Sequence, residues 1–241
     1  MADPQHLGEI EIQVVDLSCH YHDGTEALRG ISLEIHQSEA FALIGPNGAG
    51  KSTLLLCLAG LLEISGQVLI GGRAMTPRSA HELRKGLALV FQDPDDQLFM
   101  PTLEEDVAFG PINLGLNREE IAARVRKALE QVHLWDKRQK APHHLSYGEK
   151  RRAALATGLA MQPRILLLDE PTSNLDPATR RELMDYLKSL NLTRIIATHD
   201  LDLAVAVSDR CAVLSAGSLI AVGPTKEVLA DTQMLKNHRL A

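Results

Sequence analysis

The stretch AFALIGPNGAGKSTLLLCLAG, residues 40–60, restricts the possible folds more than any other part of this chain. Ala40–Ile44 is a continuous apolar run without a polar face, as a strand buried on both sides of a parallel sheet requires. Gly45 to Thr53 then follows the pattern G-x-x-x-x-G-K-[ST], between that strand and a helix-like apolar run starting at Lys51. In such a loop the glycines let the backbone curl until its N–H groups face phosphates. The Lys51 ammonium neutralises charge on the β- and γ-phosphates, and the Ser52 hydroxyl suits Mg²⁺. Gly45, Pro46, Asn47, Gly48, Ala49, Gly50, Lys51, Ser52 and Thr53 are therefore candidate nucleotide-binding positions.

Strand and helix patterns alternate along the rest of the chain. The first eight or so residues read as a frayed lead. EIQVVDLSCHY predicts a strand, and GISLEIHQ another with Ile31, Leu33 and Ile35 on one face. GQVLIGG and GLALVFQ add two more. NREEIAARVRKALEQVHL predicts a helix with Ile121, Val125, Leu129 and Val132 on one stripe and a capping box from Asn117 to Glu120. RILLLDE, RIIATHD and CAVLSAGSLIAVG bring the strand pattern back, with a helix over PATRRELMDYLKSL. This order describes an α/β core with a helical insert.

ILLLDE supplies a second half to the phosphate site. Its apolar residues drive a strand into the core and deliver Asp169 and Glu170 at the C-terminal end, where ligands gather in parallel sheets. Asp169 is a candidate Mg²⁺ ligand through water, and Glu170 a candidate base for the attacking water. Gln92 follows the strand LALVF and is placed to reach the metal or the water. His199 follows RIIAT and is placed to donate to a γ-phosphate. A further anion site is suggested by LSYGEKRR, where Ser146 and Gly148 precede a helix whose free N–H groups form a positive pole.

Composition sets limits. Basic residues number 25 against 31 acidic, a net −6, which argues against a general nucleic-acid binder. Cys19, Cys57 and Cys211 show no C-x-x-C spacing, so neither a disulfide framework nor a zinc site is expected. MADPQHLGEI lacks a basic start followed by an apolar core, and LLLCLAGLL is too short for a membrane span. The expectation is a soluble chain whose membrane role, if any, runs through a partner. His20 with His22 and His143 with His144 have no third ligand at a suitable spacing, so they read as surface residues.

Taken in order, GPNGAGKST, Gln92, LSYGEKRR, ILLLDEP, SNLD and His199 resemble the ATPase subunits of ABC transporters over nearly the whole chain. The resemblance implies one ATPase domain over 1–241, with a P-loop NTPase (RecA-like) α/β core from residues 9–91 and 161–241. It also implies a small antiparallel β subdomain and an α-helical subdomain inserted over 92–160. Ser146 and Gly148 would then grip the γ-phosphate of a nucleotide held by the opposite subunit, so that a head-to-tail homodimer closes around two ATP molecules. By the same likeness Tyr21 stacks on adenine, Asn174 and Asp176 cross that seam, and Lys51, Gln92, Glu170 and His199 serve catalysis. Mg²⁺ would be held by Ser52, Gln92 and Asp169. Tyr147 and Glu149 depart from the family's common signature, which has glycine and glutamine there. Glu149 puts negative charge beside the expected phosphate, with Lys150 and Arg151 next to it to offset the charge.

FQDPDDQLFMPTLEEDVAFGPINLGL resembles the corresponding segment of energy-coupling-factor ATPases, and LSYGEKRRAALATGLAM adds a likeness to their cobalt and nickel branch. The implied partners are a transmembrane coupling subunit and a substrate-binding membrane subunit, met at the cytoplasmic face of the membrane. A vitamin importer of the same class is the alternative cargo. Between Gln92 and Gly110 stand Asp93, Asp95, Asp96, Glu104, Glu105 and Asp106 with no Lys or Arg, beside Leu98, Phe99 and Met100, which read as exposed. This patch suits a basic amphipathic helix. A soluble ABC ATPase acting on nucleic acid or ribosomes is the rival of another class. It fits less well, because no long coiled coil separates the phosphate loop from Ser146 and only one cassette is present. A P-loop kinase would leave LSYGEKRR and SNLD without a role.

Overall fold

A computed structural model describes residues 8–240, so the frayed lead expected at the start lies outside the described residues apart from residue 8. In chain order the strands are β1 (Ile10–His20), β2 (Glu26–His36), β3 (Ala40–Ile44), β4 (Ser65–Ile70), β5 (Arg73–Ala74), β6 (Leu87–Val90), β7 (Ile165–Asp169), β8 (Thr193–Thr198), β9 (Arg210–Ser215) and β10 (Ser218–Pro224). The helices are α1 (Lys51–Leu58), α2 (Ala80–Arg84), α3 (Leu103–Asn113), α4 (Arg118–Gln131), α5 (Tyr147–Ala160), α6 (Pro177–Ser189), α7 (Leu201–Val207), α8 (Thr225–Val228) and α9 (Thr232–Asn237). They fall into two units, one made of the chain up to Arg84 and from Leu190 onward, the other Lys85–Ser189.

The first unit holds an antiparallel sheet in the order β2-β1-β4-β5. Ile31, Leu33 and Ile35 turn inward at 0%, 6% and 0% exposure while their neighbours face water, the alternation expected of a half-buried strand. It also holds β3, paired in parallel with β8 on one side and β9 on the other. Every residue of β3 is buried, which is why that run carries no polar face. CAVLSAGSLIAVG is not one strand but the hairpin β9–β10, in which Ser215 pairs with Ser218. Ala216 and Gly217 make its two-residue turn with φ of 47° and 78°, the left-handed pair that matches strand twist. Cys19, Cys57 and Cys211 are free and buried, and burial pushes the Cys211 thiol up to about 11.

In the second unit β6 and β7 pair in parallel, and α3, α4 and α5 pack on one another. Asn117 and Glu120 form the predicted capping box of α4, and Val125, Leu129 and Val132 are buried along its stripe. Helix α3 was not legible as a helix. It contains Pro111, but a capping box between Thr102 and Glu105 opens it. The insert expected over 92–160 falls inside this unit, which also takes in β6 and β7.

Candidate nucleotide site

The phosphate-loop residues, Tyr21 and His199 all belong to the first unit. Ile44 at the end of β3 lies opposite Thr198 at the end of β8, so the loop from Gly45 and the turn carrying His199 leave the sheet side by side. Two loop positions require glycine. A Cβ on Gly45 would come within 2.5 Å of the Leu214 carbonyl oxygen, and one on Gly50, at φ +103°, within 2.9 Å of the Ala27 carbonyl oxygen.

Lys51 is 6% exposed, and its ammonium folds back across the loop to donate to the carbonyls of Gly45 at 2.8 Å and Pro46 at 3.2 Å. The strain-prone turn and the buried cation thus shape each other. No side chain caps the N-terminus of α1, and a helix terminus of this kind suits an anion. Ser52 is exposed in that first turn, Thr53 is buried, and the Thr53 and Tyr21 hydroxyls are hydrogen-bonded at 2.7 Å. That bond ties the polar tip of Tyr21 to α1 and leaves the ring, on a residue 42% exposed, beside it.

Gln92, Asp169, Glu170, Ser146, Gly148 and Asp176 belong to the second unit. Val90 of β6 lies opposite Leu168 of β7, so Gln92, which is exposed, leaves the same sheet edge as Asp169 and Glu170. Asp169 and Glu170 are 7% and 4% exposed. Glu170 has φ +45°, and the Ser173 hydroxyl donates to its Oε2 at 3.1 Å. A non-glycine residue in the left-handed region is strained by about 1–3 kcal/mol, a cost that surrounding structure must hold. Asn174 is left-handed too, at φ +62°. Asp176 accepts from the N–H groups of Ala178 and Thr179 and from the Thr179 hydroxyl at 2.6 Å, capping α6. The Thr179 hydroxyl, with those N–H groups, holds the Asp176 carboxyl below its ordinary value.

Ser146 is the N-cap of α5. Its hydroxyl accepts from the Glu149 N–H at 3.3 Å, and the Glu149 carboxylate returns the bond by accepting from the Ser146 N–H at 2.9 Å. Glu149 also pairs with Lys137, and that hydrogen bond is the main reason its carboxyl lies below the usual value. Its charge is therefore balanced by Lys137. Lys150 is engaged elsewhere with Asp95 at 2.6 Å, and Arg151 with the Phe91 and Ser173 carbonyls. Gly148 packs closely on the start of α6: a Cβ there would stand 3.3 Å from the Thr179 methyl, a tight contact, and 3.7 Å from Leu175, an ordinary one.

In the acidic segment, Leu98 is buried at 6% exposure and Phe99 stands out at 62%. The reading of Leu98 as exposed is thus corrected: it anchors the loop from which Phe99 projects. Phe99 and Phe109 meet edge to face with centroids 5.2 Å apart, and Ile112 is 56% exposed nearby on α3. Asp106 is 2% exposed and its Oδ1 accepts from the N–H groups of Phe99 at 2.9 Å and Met100 at 3.0 Å. Burial pushes its carboxyl up, against the pull of those two bonds. Sequence reasoning missed the roles of Lys137, Gln97 and Asp106, because each partner is reached through a loop.

The N-terminus of α1 thus has no side-chain cap and starts at the buried Lys51, the N-terminus of α5 is closed by the Ser146–Glu149 box, and two buried carboxylates stand at the end of β7. Residues 28–173 match the ABC transporter family. An energy-coupling factor transporter ATP-binding protein, EcfA, of Methanocaldococcus jannaschii is 46% identical over 95% of this chain and 84% of its own. Among solved structures, cbiO1 of Clostridium perfringens, part of the ABC transporter complex cbiONQ, is similar with a TM-score of 0.83 and 39% identity over 95% of this chain and 94% of that one. An ATP-binding cassette solved as a dimer in a post-hydrolysis state with ADP and Pi gives 0.81 and 27% identity over 89% of this chain and 98% of that one. With the phosphate loop, the carboxylate pair and the capped signature turn in place, the chain belongs to the ABC transporter family, among its ATP-binding subunits.

Proposed function

We propose that this chain powers an energy-coupling-factor importer for cobalt or nickel ions, working as a head-to-tail homodimer that hydrolyses ATP. The observation that carries this reading is the opening of α5 at Ser146 and Gly148, where the signature-like segment LSYGEKRR stands and the charge of the adjacent Glu149 is balanced by Lys137. The likeness to EcfA and to cbiO1 of the cbiONQ complex supports the transporter class; the choice of ion rests on the resemblance of LSYGEKRRAALATGLAM to the cobalt and nickel branch.

In this scheme Tyr21 stacks on adenine while the loop N–H groups and Lys51 hold the β- and γ-phosphates. Ser146 and Gly148 of the second copy cover the γ-phosphate from the other side, with Asp176 at the same seam. Glu170 takes the proton of the attacking water, Gln92 orients that water, and His199 donates to the phosphate. The donor set of Ser52 hydroxyl, Gln92 amide and Asp169 carboxylate consists of hard oxygens, which fit Mg²⁺. When bound there, Mg²⁺ would neutralise developing phosphate charge.

Stacking a base on an aromatic side chain is worth about 1–3 kcal/mol. Tyr21→Ala is therefore expected to weaken binding of a non-hydrolysable ATP analogue roughly ten- to a hundredfold in a calorimetric titration. Tyr21→Phe gives up only the Thr53 bond and should cost less than about tenfold.

No helix of the described residues is long and apolar enough to cross a membrane, so attachment would be peripheral. Phe99, Phe109 and Ile112 with Asp96 and Glu104 form the proposed docking patch for a basic amphipathic helix of the coupling subunit, at the cytoplasmic face. Glu105 and Asp93 are poor choices for testing it, because the Glu105 carboxylate accepts from the Thr102 N–H at the start of α3 and the Asp93 carboxylate from the Asp95 N–H in its own turn. Asp96→Lys with Glu104→Lys keeps those bonds. Co-expressed with its membrane subunits, that variant should lose most of its recovery in the membrane fraction and its ATP-driven ion uptake, while soluble ATPase activity stays. Full recovery in the membrane fraction would defeat the docking assignment, and a wild-type chain that never joins membranes would defeat the function.

A further inference from the structure

The segment between Gln92 and the docking patch holds one polar side chain with every bond made. Gln97 is half-buried, and its Oε1 accepts from the Phe91 N–H at 3.0 Å. Its Nε2 donates to the Ala154 carbonyl at 3.0 Å and to the Thr157 hydroxyl at 2.5 Å. One side chain therefore joins the residue before Gln92 to the middle of α5, the helix that Ser146 opens. An amide offers two donors and one acceptor oxygen, which is what this site uses; no other side chain of that length supplies both.

Two neighbours reinforce the same link. Lys150 of α5 pairs with Asp95, two residues before Gln97, and Arg151 reaches the Phe91 carbonyl at 3.4 Å and the Ser173 carbonyl at 3.5 Å. On the other side of Gln97 the chain is equally constrained. Leu98 is buried, and Asp106 gathers the N–H groups of Phe99 and Met100. The loop that projects Phe99 is thus gripped by α3 through Asp106 and by α5 through Gln97.

We infer that Gln97 is a positioning residue that makes the Phe99 loop and the Ser146 end of α5 move as one body. Resting on the proposed function, this assigns the path by which anion capture at Ser146 reaches the docking patch. Coupling of this kind requires a connected element whose arrangement both ends bias, and three hydrogen bonds between half-buried partners supply the connection. Without them the loop and the helix would answer separately.

Hydrogen exchange on the full-length chain tests it, in a Glu170→Gln background that retains ATP. With the loop and helix clamped, ATP should slow exchange at the Phe99 and Met100 amides by at least about threefold relative to the nucleotide-free chain. Gln97→Met keeps the side-chain length and removes all three bonds. It should bring that ratio to about one while ATP still slows exchange at residues 146–152. A packing defect alone would speed exchange with and without ATP by the same factor and leave the ratio intact.

Thr157→Val removes the hydroxyl that accepts from Gln97 Nε2, together with that hydroxyl's own bond to the Ala154 carbonyl within α5, and serves if Gln97→Met does not fold; it should at least halve the ratio. An undiminished ratio in whichever variant is folded overturns the inference while the proposed function stands. A parent chain that gains no dimer on adding ATP overturns the proposed function, and the clamp with it.

Discussion

Glu170→Gln is expected to lower ATP turnover by about 10²–10⁴, the range over which a positioned base contributes to proton transfer. The substitution should leave the fold almost untouched. Glutamine has the same size, the residue is only 4% exposed, and the remaining carbonyl oxygen can still accept the Ser173 hydroxyl that now meets Oε2 at 3.1 Å. What disappears is the capacity to take a proton from water. In the proposed homodimer the consequence is a trapped pair, because closure needs only binding whereas reopening needs cleavage. Light scattering on the variant with ATP and Mg²⁺ should give twice the monomer mass, and a filter assay should show no phosphate release within the lifetime of the complex. A monomer under those conditions would mean that the Ser146 turn does not complete a shared site.

Lys51→Ala is expected to be more damaging at the binding step. The ammonium is buried and donates to two loop carbonyls, so its loss removes both a cation from the phosphate site and a brace from the loop. Hydrogen bonds to charged groups are worth about 1.5–3 kcal/mol each, so losing one or two contacts to a triphosphate should weaken ATP by roughly a hundredfold or more. The two variants separate cleanly in a titration with a non-hydrolysable analogue. Lys51→Ala should show little or no binding, whereas Glu170→Gln should bind as the wild type does.

The parts of this protein that were legible in the sequence are those whose geometry is made by neighbours in the chain. Ala40–Ile44 and residues 165–168 announce themselves as continuous apolar runs, because a strand buried on both faces leaves little place for a polar residue before its end. The phosphate loop announces itself through its own glycines and through Lys51, which reaches back by only a few residues, although what crowds Gly45 and Gly50 is the backbone of the distant Leu214 and Ala27. Helix α4 declared both its stripe and its cap. By contrast, α3 was hidden by Pro111 and by an acidic first turn that looked like loop. The hairpin β9–β10 read as one strand because Ala216 gives no turn signal, though Gly217 after it does.

The same distinction holds within the candidate site. Glu149 looked like a liability next to an anion, because the residue that neutralises it, Lys137, belongs to a separate short turn. Gln97 and Asp106 carried no local signature either. Their partners are Ala154 and Thr157 of α5 for the one, and the backbone of a preceding loop for the other. Such residues become visible only when packing brings distant segments together, which is where single-chain pattern reading stops.

The left-handed backbone at Glu170 has a further implication. A residue placed there gives up conformational comfort, so the end of β7 is held in tension by the buried strand behind it and the turn ahead. With Glu170 as the proposed base, a glycine there would relax the backbone while forfeiting the proton acceptor, so that sturdiness and turnover would trade against each other at this one position.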